Sequence, residues 1–174
     1  PMSNAMSKPL HVLILLAVAL ALASTYAAAI VVPFAAERAE RHAQIIEGTA
    51  DSPYRYRVLV PFAVEAVTSV RGGDRDGVYV VFDFLAFALL LWGLYVYCGT
   101  WYSPDIALIG ALLVGATLPV AFRHHAFQPW SLLEPGLMVL GLILIQRDRR
   151  VLLALVVGLA ALNRETGLFV ALAF

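Results

Sequence analysis

The chain has 174 residues, of which 61% are hydrophobic and 14% charged, and its mean hydropathy is +0.84. Because about a quarter of the residues in an ordinary soluble domain are charged, this composition is typical of a membrane protein. The 12 basic and 12 acidic residues balance, so the sequence shows no basic excess for a nucleic-acid partner. A single cysteine, Cys98, excludes an intrachain disulfide and a cysteine-based metal site.

Five apolar runs predict an all-α, polytopic membrane bundle of about five transmembrane helices, since about 20 apolar residues cross the hydrocarbon core. We expect one transmembrane domain over residues 6–174, and residues 1–5 are typical of a cloning remnant. The chain ends without a polar tail, so we expect it to be part of a longer protein, completed by a C-terminal half or a further subunit. The predicted spans are about 11–32, 78–98, 106–122, 131–145 and 151–174.

A mixed-charge loop, residues 34–76, separates the first two apolar runs. Residues 62–70 follow Pro61, which suits the first turn of a helix, and they mix apolar with polar side chains. This pattern predicts a helix that lies along the membrane interface. Basic residues on the other side of the membrane, Lys8 and those at 147–150, place the loop in the extracytoplasmic space by the positive-inside rule.

The centre of this loop is the stretch SPYRYRVLVP, residues 52–61. Its two prolines favour extended backbone at the residues that precede them. A strand would place Tyr54 and Tyr56 on one face and Arg55 and Arg57 on the other. Two guanidinium groups beside a membrane are suited to binding a phosphate, because each offers a planar fork of donors. The alternative is a pair of surface arginines neutralised by the acidic residues nearby, Glu47, Asp51 and Glu65.

Charged residues inside the apolar runs are candidate functional residues, because charges in a bilayer face protein or water. Asp83 and Glu134 lie within one or two turns of the ends of their runs. For Glu134, a position at the depth of the membrane interface explains the charge. Arg164 and Glu165 follow a dozen apolar residues and precede eight more. Two interpretations of this pair stay open, namely pairing with charges on neighbouring helices and binding of a ligand.

Taken together, SPYRYRVLVP and the later ALNRETGLF resemble the multi-spanning glycosyltransferases of the GT-C superfamily, in particular bacterial branches with a PYxYRxLxP-like segment and a later RE(T/S) segment. The resemblance implies a large first extracytoplasmic loop with interface helices. It also implies a bacterial inner-membrane enzyme that transfers a sugar from a polyprenyl-phosphate carrier to an acceptor, with inversion. Such an enzyme uses no cofactor.

The family uses an acidic base early in the first loop, usually Asp, and this chain has no Asp at that position. The resemblance therefore implies a substitute among Glu40, Asp51 and Glu47. Basic residues would hold the lipid phosphate, namely Arg55, Arg57 and Arg164, so that no metal is required. We expect supporting roles for Tyr54, Tyr56, Glu165, Asp83, His124 and His125. The two adjacent histidines lie in a loop and fit contact with a lipid phosphate better than metal binding.

Two other functions remain open on the sequence alone. The chain would serve as a non-catalytic lipid-binding or scaffold subunit if its loop acids do no chemistry. It would serve as a transporter component if its intramembrane charges line a pathway, and discontinuous helices would favour that function. A loop with an amphipathic helix over a lipid-accessible cavity would favour sugar transfer.

Overall fold

The computed structural model describes residues 4–122 and 129–172, and within these ranges all regular secondary structure is helical. The prediction of an all-α chain is therefore confirmed. In chain order the elements are α1 (Asn4–Tyr26) with a π-helical extension (Ala27–Val31), α2 (Ala35–Ile46), a 3-10 turn (Tyr54–Tyr56), α3 (Leu59–Arg71), α4 (Arg75–Cys98), α5 (Pro104–Phe122), α6 (Pro129–Gln146), α7 (Arg150–Asn163), a second 3-10 turn (Glu165–Leu168) and α8 (Phe169–Leu172).

Two helical segments are long and apolar enough to cross a bilayer. They are Lys8–Val31 and Arg75–Cys98, each of 24 residues, with mean hydropathies of 2.4 and 2.1. Shorter apolar stretches, each of fewer than 18 residues, lie within α5, α6 and α7, namely Pro104–Val120, Ser131–Gln146 and Arg150–Asn163. Of the five expected spans, two therefore have the length and composition of membrane-crossing helices.

Helix α4 lies at the centre of the bundle and packs against α1, α5 and α6. It runs antiparallel to α1, because His11 near the start of α1 meets Tyr95 near the end of α4. The bundle core is formed by buried side chains of α1, α4 and α5, including Leu15, Phe87 and Ala111. Helices α4 and α6 approach closely, since a Cβ on Gly136 would lie 3.1 Å from Leu89.

This packing gives the bundle two ends with different contents. The loop end contains α2, the Tyr54–Tyr56 turn, α3, the starts of α4 and α6, and the C-terminal end of α7. The connector end contains the start of α1, the α4–α5 connection at residues 99–103 and the α6–α7 connection at residues 147–149. Several polar side chains are buried at the loop end, whereas those of residues 146–150 at the connector end are exposed.

The stretch 52–61 is helical over most of its length, so it does not form a strand. Its first half contains the 3-10 turn, and α3 begins at Leu59, so Val60 lies in a helix although a proline follows it. Complete burial of Val60 against Val64 and its neighbours overrides the local preference for extended backbone. Pro61 is tolerated because it occupies the first turn, where its missing N–H has no helical acceptor.

The last apolar run is not one continuous helix. Helix α7 ends at Asn163, and Arg164 is extended, with φ −162° and ψ 144°. The chain resumes as the Glu165–Leu168 turn and then α8. Asn and Thr side chains compete with the helical backbone for hydrogen bonds, and here Asn163 and Thr166 both bond to Glu134 of α6. These two bonds hold the interruption in place.

Candidate functional site

A network of hydrogen bonds and ion pairs connects α2, α3 and α4 at the loop end. His42 bonds through Nδ1 to the Tyr79 hydroxyl at 2.8 Å and through Nε2 to Glu65 Oε2 at 3.0 Å. Arg75 also donates to Glu65 Oε2, at 3.0 Å. On α2, one turn before His42, Arg38 pairs with Asp76. Each of α2, α3 and α4 is therefore joined to another of the three by a polar side-chain contact.

The protonation states of His42 and Glu65 in this network follow from their surroundings. Burial lowers the pKa of His42 from its ordinary value of 6.5, although the hydrogen bond with Glu65 acts in the opposite direction. The hydrogen bond from His42 lowers the pKa of Glu65. A neutral imidazole therefore donates its Nε2–H to an ionised carboxylate, and its Nδ1 accepts from the Tyr79 hydroxyl. With both ring nitrogens engaged, His42 holds the helices together and is not available as a base.

The two arginines of the central stretch have different surroundings. Arg57 is buried, with 5% of its surface exposed, whereas Arg55 is exposed and its Cζ lies 6.0 Å from the Tyr56 ring. A 3-10 turn has about three residues per turn, so Arg57 falls on the same side as Tyr54. Its Cζ lies 5.4 Å from the Tyr54 ring. The two arginines therefore do not share one face, as they would on a strand.

Tyr54 anchors this turn to α2. The Cζ atom of Arg41 lies 4.6 Å from the Tyr54 ring, so the ring contacts guanidinium groups from two different segments. Such contacts contribute about 0.5–2 kcal/mol each, depending on how far they are withdrawn from water. Tyr54 thus keeps Arg57 directed into the loop end, while Tyr56 stays 64% exposed.

A backbone hydrogen bond joins the central stretch to the end of α7. The N–H of Val58, next to Arg57, donates to the carbonyl of Leu162 at 3.1 Å. The last carbonyls of a helix lack intrahelical donors, so this bond also completes α7. Arg164 follows two residues later and is partly buried, and its Nε has no hydrogen-bond partner among the residues that the structure describes. Arg57 and Arg164 therefore belong to two chain segments that meet at this bond.

Glu134, which the sequence analysis placed at interface depth, is a buried and hydrogen-bonded residue of this site. It is 5% exposed, and its carboxylate accepts from Asn163 Nδ2 at 2.9 Å and from Thr166 Oγ1 at 3.2 Å. A sequence signal for this contact exists. Glu134 lies 14 residues before Asp148 and Asn163 lies 15 residues after it, so a hairpin turning at Asp148 brings them to the same depth.

The three candidate acids lie at the surface of the loop end. Glu40 is exposed on α2 and accepts from Gln44 at 3.2 Å. Glu47 is exposed where α2 ends. Asp51 is exposed too, but its carbonyl accepts from the N–H of Arg55 at 3.2 Å. Of the three acids, only Asp51 is thus bonded through its backbone to the arginine-bearing turn.

The remaining predicted site residues either lie in α4 or fall wholly or partly outside the described part of the chain. Asp83 is buried in α4, one turn after Tyr79, and its Oδ1 has no hydrogen-bond partner within residues 4–122 and 129–172. The Glu165 backbone lies in the second 3-10 turn, but its side chain is outside the described part of the chain. His124 and His125 lie outside the described residues altogether.

Comparison with protein-family models, with curated proteins and with solved structures gives no match for this chain in any of the three. The candidate site is the loop end. That end offers a buried arginine on an aromatic ring, a second arginine with an unpaired Nε, and a buried carboxylate that orders the interrupted helix. Within the described residues, no group of three His, Cys, Asp or Glu side chains is arranged to hold a metal ion. Two arginines at the edge of an apolar bundle are suited to binding a phosphate group carried on a lipid.

Proposed function

We propose that this chain is an integral membrane glycosyltransferase, or its N-terminal module, of the bacterial inner membrane. It transfers a sugar, with inversion, from a polyprenyl-phosphate carrier to an acceptor on the extracytoplasmic side. The observation that carries the proposal is the hydrogen bond between Val58 and Leu162, because it joins the arginine-bearing turn to the interrupted end of α7.

In this proposal all five apolar helices cross the bilayer, with α5, α6 and α7 supported by α4 and by one another. The loop end faces outward, because Lys8 and the basic residues of the α6–α7 connection lie at the opposite end. Helix α3 supports this orientation, since it buries Val60 and Val64 but exposes an apolar stripe. That stripe comprises Phe62, Val67 and Val70, which are 51%, 43% and 88% exposed. Such a stripe is suited to the membrane interface.

The phosphate of the carrier would be held by Arg57 and Arg164. When the bond between the sugar and the phosphate breaks, negative charge accumulates on the departing lipid phosphate, and fixed guanidinium groups stabilise that charge. The unpaired Nε of Arg164 is one donor not yet used by the protein. Arg55, exposed beside Tyr56, would act at the rim of the same site.

Among the three candidate acids, Asp51 is the one that we propose as the catalytic base. The acceptor hydroxyl oxygen attacks the anomeric carbon, its proton passes to a carboxylate, and the lipid phosphate leaves with the electrons of the broken C–O bond. Asp51 is attached to the arginine-bearing turn through its carbonyl, whereas Glu40 is bonded to Gln44 and Glu47 closes α2.

The interruption of α7 also favours a second candidate function, a component of a transporter. Broken helices in transporters present backbone groups and charges to a substrate near the middle of the membrane. Here Arg164 and the Glu134 carboxylate lie at such a break. A transporter would move a substrate between compartments without forming a glycosidic bond, so the two functions separate on the product.

The first experiment measures binding of a polyprenyl phosphate to the full chain in lipid nanodiscs. Charge-assisted hydrogen bonds contribute about 1.5–3 kcal/mol, so Arg57→Ala and Arg164→Ala should each weaken binding about tenfold or more. Arg71→Ala removes an exposed arginine from the same loop and should leave binding unchanged. Equal binding by all three variants would contradict the phosphate site.

A second measurement isolates the base. The Asp51→Asn chain should keep its affinity for the polyprenyl phosphate but lose transfer of a labelled sugar from the glycosylated carrier, assayed with a mixture of cell-envelope acceptors. If wild-type protein binds the carrier and no acceptor is labelled by it, the non-catalytic lipid-binding function holds instead.

A further inference from the structure

Two adjoining cavities lie beside α1 and α4 toward the connector end. The inner cavity, about 310 Å³, is lined by apolar side chains of these two helices, including Leu16 and Leu85. The outer cavity, about 350 Å³, opens beside the α4–α5 connection and is lined by Lys8 and Arg147, among others. Val12 and Trp92 line both cavities, so the two cavities adjoin at these side chains. We call the whole feature the connector groove.

The connector groove changes from apolar to cationic along its length. Lys8 lies eight residues before Leu16 on α1, so about 12 Å of helix separates the basic mouth from the apolar part of the groove. Trp92 stands at the boundary and Tyr95 lies in the outer cavity. Aromatic side chains of this kind are enriched at the level of lipid head groups.

The two cations at the mouth are not used by the protein. Neither the Lys8 nor the Arg147 side chain has a hydrogen-bond or ion-pair partner among the residues that the structure describes. The acids at this end are paired elsewhere, Asp105 with His11 at 3.2 Å and Asp148 with Arg150 at 2.9 Å. An anion at the mouth would therefore meet two cations and displace no ion pair.

We propose that the connector groove binds an anionic phospholipid, with an acyl chain against Leu16, Leu85 and Trp92 and the head-group phosphate between Lys8 and Arg147. Basic pockets between helices on the cytoplasmic side recognise anionic head groups. The apolar part of the groove, where Leu16 and Leu85 are 42% and 56% exposed, fits a hydrocarbon chain, and a free phosphate would leave it empty. This site lies at the opposite end of the bundle from Arg57 and Arg164, so it does not depend on the carrier lipid.

The test uses native mass spectrometry of the detergent-purified full chain, titrated with phosphatidylglycerol, phosphatidylcholine or inorganic phosphate. Each surface cation contributes about 1 kcal/mol to the attraction of anionic lipid, so the double variant Lys8→Gln/Arg147→Gln should bind phosphatidylglycerol about thirtyfold more weakly. The matched control is Arg149→Gln/Arg150→Gln, which removes the same charge from exposed positions at the same end. It should change binding less than threefold, within about 0.7 kcal/mol.

A second pair of variants tests the groove itself. Val12→Trp fills the junction of the two cavities and should prevent retention of phosphatidylglycerol, whereas Leu13→Trp enlarges a neighbouring side chain that is 63% exposed and should not. Equal retention of phosphatidylglycerol and phosphatidylcholine by the wild type would overturn the proposal. So would equal binding by the Lys8/Arg147 and Arg149/Arg150 variants, or displacement of the lipid by millimolar inorganic phosphate.

Discussion

The two ends of the bundle both carry charged residues, but they place them differently. At the loop end, polar bonds connect residues far apart in the chain, such as Glu134 with Asn163, and these side chains are buried. At the connector end, Arg150 and Asp148 are two residues apart, and their side chains are 73% and 72% exposed. The loop end thus connects its helices through several buried polar side chains, whereas among the described residues of the connector end only His11 does so and the side chains at residues 147–150 are exposed.

The difference follows from desolvation. A buried polar group without a partner loses the hydrogen bonds that water would provide, so breaking a buried pair destabilises the fold. When one member of an exposed pair is removed, the other regains those bonds from water. Substitutions at the two ends should therefore differ in effect even where the residue types are alike.

The largest effect on stability is expected at Glu134. Glu134→Ala removes the acceptor of two hydrogen bonds and leaves the amide of Asn163 buried. We expect the free energy of unfolding to fall by about 3 kcal/mol, since removing one partner of a charged hydrogen bond costs about 1.5–3 kcal/mol. Denaturant unfolding of the purified chain in detergent, followed by tryptophan fluorescence, measures this loss.

Glu134→Gln is the matched control, because its amide oxygen still accepts a hydrogen bond while the charge is removed. It should cost less than half as much as Glu134→Ala. Equal stability of wild type and Glu134→Ala would mean that the connection between α6 and the interrupted end of α7 does not stabilise the bundle.

A smaller effect, dependent on pH, is expected at His42. Its pKa is lowered in the folded chain by burial, so the unfolded chain takes up a proton below pH 6.5 that the folded chain resists. Stability should therefore fall as the pH drops from 7.5 to 5. The lowered pKa of Glu65 adds a loss only near and below its ordinary value of 4.5.

The His42→Gln chain keeps side-chain donors and acceptors for Tyr79 and Glu65 but cannot titrate. Its melting temperature should vary less between pH 7.5 and 5 than that of the wild type. His11→Gln removes the buried histidine of the connector end and leaves the His42 contribution in place. Parallel melting curves for wild type and His42→Gln over this range would contradict the neutral, buried imidazole.

The smallest effect is expected at the connector end. Arg150→Ala breaks an exposed pair with Asp148 and should change the free energy of unfolding by no more than about 0.5 kcal/mol. The same denaturant titration as for Glu134 provides the measurement. A loss comparable to that of Glu134→Ala would remove the distinction between the two ends.

Length, composition and local pattern determined the helices. The long apolar runs, including residues 78–98 and 106–122, form helices, in which the backbone polar groups bond to one another within the segment. The exposed apolar stripe of α3 also follows from its pattern, because its apolar residues recur at helical spacing. These features depend on residues within about two turns of one another.

Only the tertiary structure decided which polar residues are buried and with what partner. Arg55 and Arg57 look alike in the sequence, but packing against Tyr54 and the end of α7 buries one and leaves the other exposed. Glu134 resembles an interface residue until the α6–α7 hairpin brings Asn163 beside it. The physical reason is that the free energy of a buried polar group depends on partners distant in the chain, which local pattern does not specify.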